Sequence, residues 1–255
     1  MLQKIPKKIE TLCRQTVSLH LITSYYNHLL KNGQRDYNAY ILTDTVNLED
    51  IMNNKFFDLP VEKQQRIVNA AYKVFSNSSY KKAPMSEIAH EGGVSKALLF
   101  HYFINKKELY MYLWENAIEM TRKAIIEYKT LETSDFFEML KRSLLSKCAI
   151  MRKYPHIYAF SLRAYYETFP EIKEIIQKSY SKVSHASETI VFEKMDTSVL
   201  RKDIDLKSMY SEIFYAIDGY MLNKYRSGQI IPAEIENEIE ELIDLWKKLY
   251  TERED

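Results

Sequence analysis

The fold of this chain is decided by residues 86–109, which read SEIAHEGGVSKALLFHYFINKKEL. The stretch opens with apolar residues at helical spacing, and Gly93 then interrupts the pattern. Glycine adopts a positive φ at no steric cost, so it suits a tight turn at this point. Ser95 is a preferred helix N-cap and predicts a second helix that runs through Phe103. Two short helices around a glycine turn indicate a helix-turn-helix.

A further helix is predicted just before this stretch. It starts at Pro60, and the pattern stops at Ser76. Pro84 fits the first turn of the next helix, because its missing N–H has no partner to lose there. The apolar positions of the first helix follow the i, i+3, i+4, i+7, i+8 spacing of an amphipathic helix and are Ile67, Ala70, Ala71, Val74 and Phe75. The sequence therefore predicts a three-helix DNA-binding domain over residues 58–106.

The rest of the chain favours a larger helical domain over residues 107–255. The whole sequence holds only 5 Gly and 6 Pro in 255 residues, too few for the many turns of an all-β fold, and helix-forming residues are plentiful. The class is therefore predicted to be all-α. Helical patterns run over residues 107–128, 135–153, 156–168, 171–194, 206–226 and 233–250.

Residues 1–57 differ from the remainder and are predicted to be a leader of uncertain order. A loose helical pattern is broken at residues 32–36, and a patternless stretch follows. Met52 is a candidate alternative translation start. We find no motif here and assign the leader no function.

The charge is unevenly distributed along the chain. Residues 52–110 carry nine Lys and Arg against five Asp and Glu, a net +4, whereas residues 111–255 carry 21 against 25, a net −4. A basic segment on an acidic body is typical of a head that binds a polyanion such as DNA.

Several classes are disfavoured by what the sequence lacks. Cys13 and Cys148 lie far apart with no metal-ligand spacing around them, which favours two reduced thiols. No Ser/His/Asp grouping or glycine-rich phosphate loop appears, so we predict neither an enzyme nor a metal or cofactor site. No run of 18 apolar residues and no signal peptide is present. The protein is predicted to be cytoplasmic, without a membrane segment.

Taken together, these residues resemble the signature of the tetracycline-repressor (TetR) family, from Gln65 to Tyr112. The matching features, in order, are Ile88-Ala89, the turn Gly93-Val94, Ser95-Lys96, the aromatic run before Phe103, and Lys106-x-x-Leu109. The resemblance implies a helix-turn-helix that binds operator DNA as a dimer, followed by a helical body that binds a small ligand.

The resemblance also implies which residues meet DNA. Lys96 matches a position that contacts the DNA backbone or a base, and Lys106 matches a phosphate clamp at the start of the fourth helix. Phe100 stands where the family usually has Tyr, so a phosphate-directed hydroxyl is lost. Gly92 replaces the usual Ala, which should loosen its helix by up to about 1 kcal/mol. The predicted DNA-facing residues are Ser86, Ser95, Lys96, Ala97, Phe100, His101, Tyr102 and Lys106.

The body is rich in tyrosine, whose apolar ring and polar tip suit the wall of an amphipathic pocket. Many of these aromatic residues would equally serve as core. The predicted ligand-binding residues are Tyr158, Arg163, Tyr166, Glu167, Tyr180, Phe214 and Asp218.

Dimerisation is assigned by the same resemblance to the last two helices, residues 206–226 and 233–250. Their apolar stripes are expected to form a four-helix interface with a second copy, although part of each stripe must face its own domain. The stripes comprise Met209, Ile213, Phe214, Ile217 and Met221, then Ile235, Ile239, Leu242, Leu245, Trp246 and Leu249.

The leading hypothesis is a ligand-responsive, sequence-specific transcription regulator, a repressor that a small molecule releases from its operator. One alternative is a small-molecule-binding helical protein or enzyme with a vestigial helix-turn-helix. Another is a non-specific nucleoid-type binder. The sequence names neither the effector nor the operator.

Overall fold

The computed structural model describes residues 54–252, without the side chains of residues 54 and 182–187. Most of the predicted leader, including Met52, lies outside the described residues. A short 3-10 helix, Asn54–Phe56, comes first, and the predicted all-α class is confirmed. The α-helices of the described part are α1 Val61–Asn77, α2 Met85–Glu91, α3 Lys96–Tyr102, α4 Lys106–Glu127, α5 Phe136–Lys153, α6 Ile157–Tyr165, α7 Pro170–Lys194, α8 Leu206–Arg226 and α9 Pro232–Tyr250.

Polar side chains fix where several of these helices begin. The Ser95 hydroxyl accepts the backbone N–H of Leu98 at 3.0 Å, which confirms the predicted cap of α3. Asn105 caps α4 in the same way, accepting the N–H of Glu108 at 2.9 Å. Each cap satisfies a backbone donor that the first turn leaves without a partner.

Helix α6 is shorter than its sequence pattern. The pattern extends to residue 168, but the helix ends at Tyr165. The buried carboxylate of Glu167 accepts the backbone N–H groups of Thr168 at 2.8 Å and Phe169 at 3.1 Å. These amides cannot at the same time continue the helix, so a side chain that competes with the backbone ends it early.

Helix α1 packs into the body rather than standing apart from it. The rings of Tyr72 and Phe75 are fully buried. The Tyr72 ring lies 5.1 Å from that of Phe160 on α6, and the Phe75 ring lies 4.9 Å from that of Tyr110 on α4. The Tyr72 hydroxyl donates to the carbonyl of Leu113 at 2.9 Å, and burial raises its pKa well above the ordinary value. The helix-turn-helix and the body therefore share one continuous core.

Packing begins before α1, in a segment that the sequence analysis assigned to the leader. Phe56 is fully buried, with its ring 5.0 Å from that of Phe103 and 5.6 Å from that of Tyr112. Phe56, with Phe57 packed beside it, therefore takes part in the fold of the first domain.

In the body, α9 packs mainly along α5. Charged pairs tie the two together, with Lys141 Nζ 3.2 Å from Glu240 and Lys247 Nζ 2.9 Å from Asp135. Cys148 lies on α5 as a free, buried thiol, whose pKa burial raises to about 12. Among the described helices, none is both long and apolar enough to cross a membrane.

Candidate DNA interface and effector cavity

The turn between α2 and α3 has the geometry that the sequence predicts. Gly93 has a φ of +66°, in the left-handed region that favours glycine. The guanidinium of Arg66 on α1 braces the turn, because its Nε donates to the carbonyl of Gly92 at 3.0 Å. A Cβ at Gly93 would stand 3.1 Å from the same guanidinium. The turn is thus fixed both by its own backbone and by α1.

Gly92 has a role that the sequence analysis did not foresee. It is buried, and a Cβ there would lie 3.0 Å from the carbonyl oxygen of Ile88 and 3.4 Å from the Cα of Ile67. Glycine therefore lets the end of α2 approach α1 more closely than the expected alanine would. This close packing offsets the loosening that glycine was expected to cause.

The outer face of α3 is open to solvent. Lys96, Ala97 and His101 are exposed, as are Ser95 at the cap and Ser86 in the first turn of α2. The Lys96 ammonium lies 5.9 Å from the centre of the half-buried Phe100 ring, within cation–π range. An exposed, capped helix of this size is able to enter a major groove. The structure thus brings these six predicted residues to one end of the molecule.

Tyr102 differs from the expectation that its side chain faces outward. It is only 5 % exposed, and its ring lies 5.8 Å from the Phe56 ring. Tyr102 follows Leu99 by three residues, so both lie on the inner face of α3. Its ring belongs to the core, which corrects the prediction for this position.

Lys106 lies at the start of α4, where the sequence predicted a phosphate clamp. Its ammonium donates to the carbonyls of Tyr80 and Lys81, both at 3.1 Å, and burial lowers its pKa. Two of its three N–H donors are therefore engaged in holding the loop before α2. This contact also sets the exposed Lys81 and Lys82 beside the start of α4.

The body contains an apolar cavity between α4, α5, α6, α8 and α9. The empty space among its lining atoms is about 740 Å³, a figure that includes the part open to solvent. Among the described lining residues, Lys147 is the only charged one and Tyr158 the only aromatic one. The lining residues are Ala117, Thr121, Leu140, Leu144, Lys147, Ile150, Met151, Ile157, Tyr158, Ser161, Ile217, Met221, Ile235, Ile239 and Ile243.

The seven predicted ligand-binding residues are not gathered in this cavity. Tyr158 lines it, and the buried Asp218 directly follows Ile217, which also lines it. Tyr180 is not among the described lining residues; its ring lies 4.6 Å from that of Tyr165, and Tyr166 is exposed. Phe214 is buried against the Tyr210 ring at 4.1 Å.

Arg163 and Glu167, predicted from the same pattern, lie at the contact with the helix-turn-helix. Arg163 Nε donates to the carbonyl of Ser76 at the end of α1, at 2.8 Å. The Glu167 carboxylate accepts the backbone N–H of Tyr80 at 2.7 Å. Arg163 therefore connects the body to the end of α1, and Glu167 connects it to the loop between α1 and α2.

Lys147 is the residue that the sequence analysis missed. Its Nζ is buried and has no hydrogen-bond partner, and burial lowers its pKa to about 7, while the charge of Asp218 acts in the opposite direction. The signal was present in the sequence, because Lys147 occupies an apolar-stripe position of α5, seven residues after Leu140 and four before Met151.

The matches to known protein sequences concern mainly the helix-turn-helix. Residues 67–113 match the family model described as bacterial regulatory proteins, tetR family. A transcriptional activator, FasR of Mycolicibacterium smegmatis, is 36% identical over 58 residues, 23% of this chain and 26% of that protein. The transcriptional regulator AcrR of Shigella flexneri is 25% identical over 84 residues, 33% of this chain and 39% of that protein. The matches thus span well under half of either relative.

The overall fold is similar to that of solved TetR-family structures. A TetR-family regulator from Chloroflexus aurantiacus superposes with a TM-score of 0.54 and 21% identity, covering 79% of this chain and 99% of that one. At this identity the likeness shows the fold. The described part of the chain is thus all-helical and contains a helix-turn-helix. Residues 67–113 match the TetR-family model, as the sequence predicted, and the matched relatives are transcription regulators.

Proposed function

We propose that this protein is a cytoplasmic, ligand-responsive transcription regulator that binds operator DNA as a homodimer and is released from it by a small molecule. The outer face of α3 reads the DNA, the cavity in the body binds the effector, and the domain limits follow the predicted 58–106 and 107–255. The observation that carries the proposal is the position of α6, which contributes to both the cavity wall and the contact with α1.

Helix α6 presents different faces to the two sites. Ile157, Tyr158 and Ser161 line the cavity, whereas Phe160 packs against the α1 rings. Arg163, on the same helix, holds the end of α1 through the Ser76 carbonyl. A ligand that displaces the cavity face of α6 therefore moves α1, and with it the turn that Arg66 braces. Such a shift changes the spacing of two recognition helices, which must be roughly 34–36 Å to match one DNA turn.

The dimer surface that we propose lies on the outer faces of α8 and α9. The apolar stripe predicted on α8, including Met209 and Ile213, is buried within the chain and so leaves no surface for a partner. The outward face instead holds Tyr215 and Gly219, and a Cβ at Gly219 would meet nothing within 4 Å. On α9, Leu245 and Leu249 are about half exposed. Large apolar side chains in this position are typical of an association surface.

The DNA-binding part of the proposal is tested by selecting preferred duplexes from a random pool. The affinity of the protein for these duplexes is then measured as a function of salt concentration. A dimer that neutralises several phosphates gives a steep negative slope of log affinity against log salt concentration. We expect Lys96→Ala to weaken binding and alter sequence preference, because Lys96 is exposed on the outer face of α3. A flat salt response, or no preference above background, would contradict the proposal, the latter favouring a non-specific binder.

Lys202→Ala is the matched control. Lys202 is an exposed lysine in the loop before α8. This loop lies beside the N-terminus of α5, because the backbone N–H of Asp196 donates to the Ser134 carbonyl at 2.9 Å. The helix-turn-helix contacts the other end of α5, where Gln65 donates to the Lys153 carbonyl. An 18-residue helix is about 27 Å long, so Lys202→Ala removes the same charge far from the DNA. It should leave the affinity and the sequence preference unchanged.

The dimer is tested by sedimentation of Leu245→Glu against Val61→Glu. Leu245 is 49 % exposed and Val61 is 66 % exposed, but Val61 lies at the start of α1, in the helix-turn-helix domain. We expect Leu245→Glu to shift the protein towards monomer and Val61→Glu to leave the dimer intact. A wild-type monomer at micromolar concentration would overturn this part of the proposal.

A further inference from the structure

The cavity has a chemistry that specifies its ligand more narrowly than the proposed function does. We propose that it takes a lipophilic acid, a molecule with an aliphatic body and a single anionic head that meets the ammonium of Lys147. The inference deepens the proposed function, because it names the class of effector for the cavity on which that function depends.

The wall of the cavity favours a ligand whose apolar part is aliphatic. Most of its lining side chains are Ile, Leu or Met, and Tyr158 is the only aromatic ring among the described lining residues. Aliphatic side chains offer close packing but no flat ring on which an aromatic ligand would stack. Thr121 adds little polarity, since its hydroxyl already donates to the Ala117 carbonyl at 2.9 Å. A long alkyl chain therefore matches this wall better than a polar or aromatic molecule.

The head group is selected by Lys147. Its Nζ is buried without a hydrogen-bond partner, and an unpartnered buried donor of this kind costs free energy that a ligand acceptor recovers. The ammonium form makes its strongest bond to an anion, because a hydrogen bond in which both groups are charged is about twice as strong as a neutral one. Asp218 on α8 is a charged group close enough to act on Lys147, and it favours the ammonium form. An acid is thus preferred to an alcohol. The Lys147 ammonium repels a cationic head, and the Asp218 carboxylate, which would attract one, is not among the described residues that line the cavity.

The test uses three probes with the same ten-carbon chain, namely decanoate, decanol and decylamine, titrated calorimetrically into the full-length protein below their micellar concentrations. We expect decanoate to bind at least about tenfold more tightly than decanol, from the added charge-assisted bond, and decylamine to bind most weakly. This comparison is made on the wild-type protein, so it does not depend on a variant that folds.

Lys147→Met then removes the amine and keeps an apolar side chain of similar length. It should abolish the preference for decanoate while decanol still binds. Lys141→Met is the matched control, since Lys141 lies on the same helix but is exposed and paired with Glu240. Equal binding of the three probes, stronger binding of decylamine, no binding of any probe, or a decanoate preference that survives in Lys147→Met would each overturn the assignment.

These titrations contain no DNA, so they separate the two proposals. Decanoate preference in a protein that shows no operator preference would support the ligand class and contradict the proposed function. Operator binding that decanoate weakens in the wild-type protein, but not in Lys147→Met, supports both. Sequence-specific operator binding without any decanoate preference sustains the regulator and overturns the lipophilic acid.

Discussion

The outer face of α3 and the cavity in the body are built in opposite ways. The face of α3 belongs to a seven-residue helix whose cap and turn are local, and its polar side chains point to solvent. The cavity is formed by five helices, is lined mostly by aliphatic side chains, and holds the buried amine of Lys147. A site of the first kind binds through exposed charge and a fixed helix position, whereas one of the second kind binds through burial. The connection between them is α6, with the polar contacts of Arg163 and Glu167.

Of the substitutions considered below, one that breaks this connection should lower the unfolding free energy most. Glu167→Ala removes a buried carboxylate that accepts three backbone N–H groups, those of Tyr80, Thr168 and Phe169. At about 1 kcal/mol for each lost partner, we expect unfolding free energy to fall by roughly 3 kcal/mol in a denaturant titration.

Glu171→Ala is the control for Glu167→Ala. Glu171 is exposed and pairs with Lys107, and exposed pairs contribute less than about 1 kcal/mol. Similar losses for the two variants would show that the contact with the Tyr80 loop is not a structural requirement.

A substitution at the turn between α2 and α3 tests how the DNA-binding face is held in place. Gly93→Ala places a side chain at a φ of +66° and 3.1 Å from the Arg66 guanidinium, which must shift by a few tenths of an ångström and so weakens its bond to the Gly92 carbonyl. The left-handed backbone costs roughly 1–2 kcal/mol and the weakened hydrogen bond up to about 1 kcal/mol more, so we expect a loss of about 2–3 kcal/mol in unfolding free energy and weaker DNA binding.

Gly228→Ala separates the two contributions at the turn. Gly228 has a nearly identical φ of +70°, but a Cβ there meets nothing within 4 Å. Its substitution should cost only the backbone part of about 1–2 kcal/mol and leave DNA binding unchanged. If Gly228→Ala is as damaging as Gly93→Ala, the Arg66 brace contributes nothing.

In the body, the buried amine of Lys147 predicts how the unfolding free energy depends on pH. Burial lowers the pKa of Lys147 to about 7 in the folded protein, whereas an unfolded lysine titrates near 10.4. Between these values the unfolded state binds more protons, so stability rises with pH, by up to about 1.4 kcal/mol per pH unit. Over pH 7.5–9.5, the unfolding free energy of the wild-type protein should therefore gain about 2 kcal/mol relative to Lys147→Met. Parallel curves for the two proteins would show that the amine is not buried in solution.

The sequence alone was sufficient for the features that depend on neighbours along the chain. The Ser95 cap, the turn at Gly93 and the bounds of most helices follow from local backbone chemistry, and the family signature lies within the same stretch. Helix α6 is the exception: the Glu167 carboxylate that takes the amides of Thr168 and Phe169 is also bonded to the Tyr80 amide, 87 residues away along the chain. Spacing along the chain carries no information about such a bond.

Which residues line the cavity was decided by the tertiary structure. Tyrosine content indicated a pocket in the body, yet of the three predicted tyrosines only Tyr158 lines the cavity, Tyr166 and Tyr180 pack against Tyr165, and Lys147 was missed. The same holds for Tyr102 and for the α8 stripe, whose inward faces depend on Phe56 and on the neighbouring helices. Periodicity gives the face of a helix that is apolar, but a cavity or an interface depends on which helices meet that face. That choice is made by packing between distant segments, and it determines which side chains are left for DNA, ligand or partner.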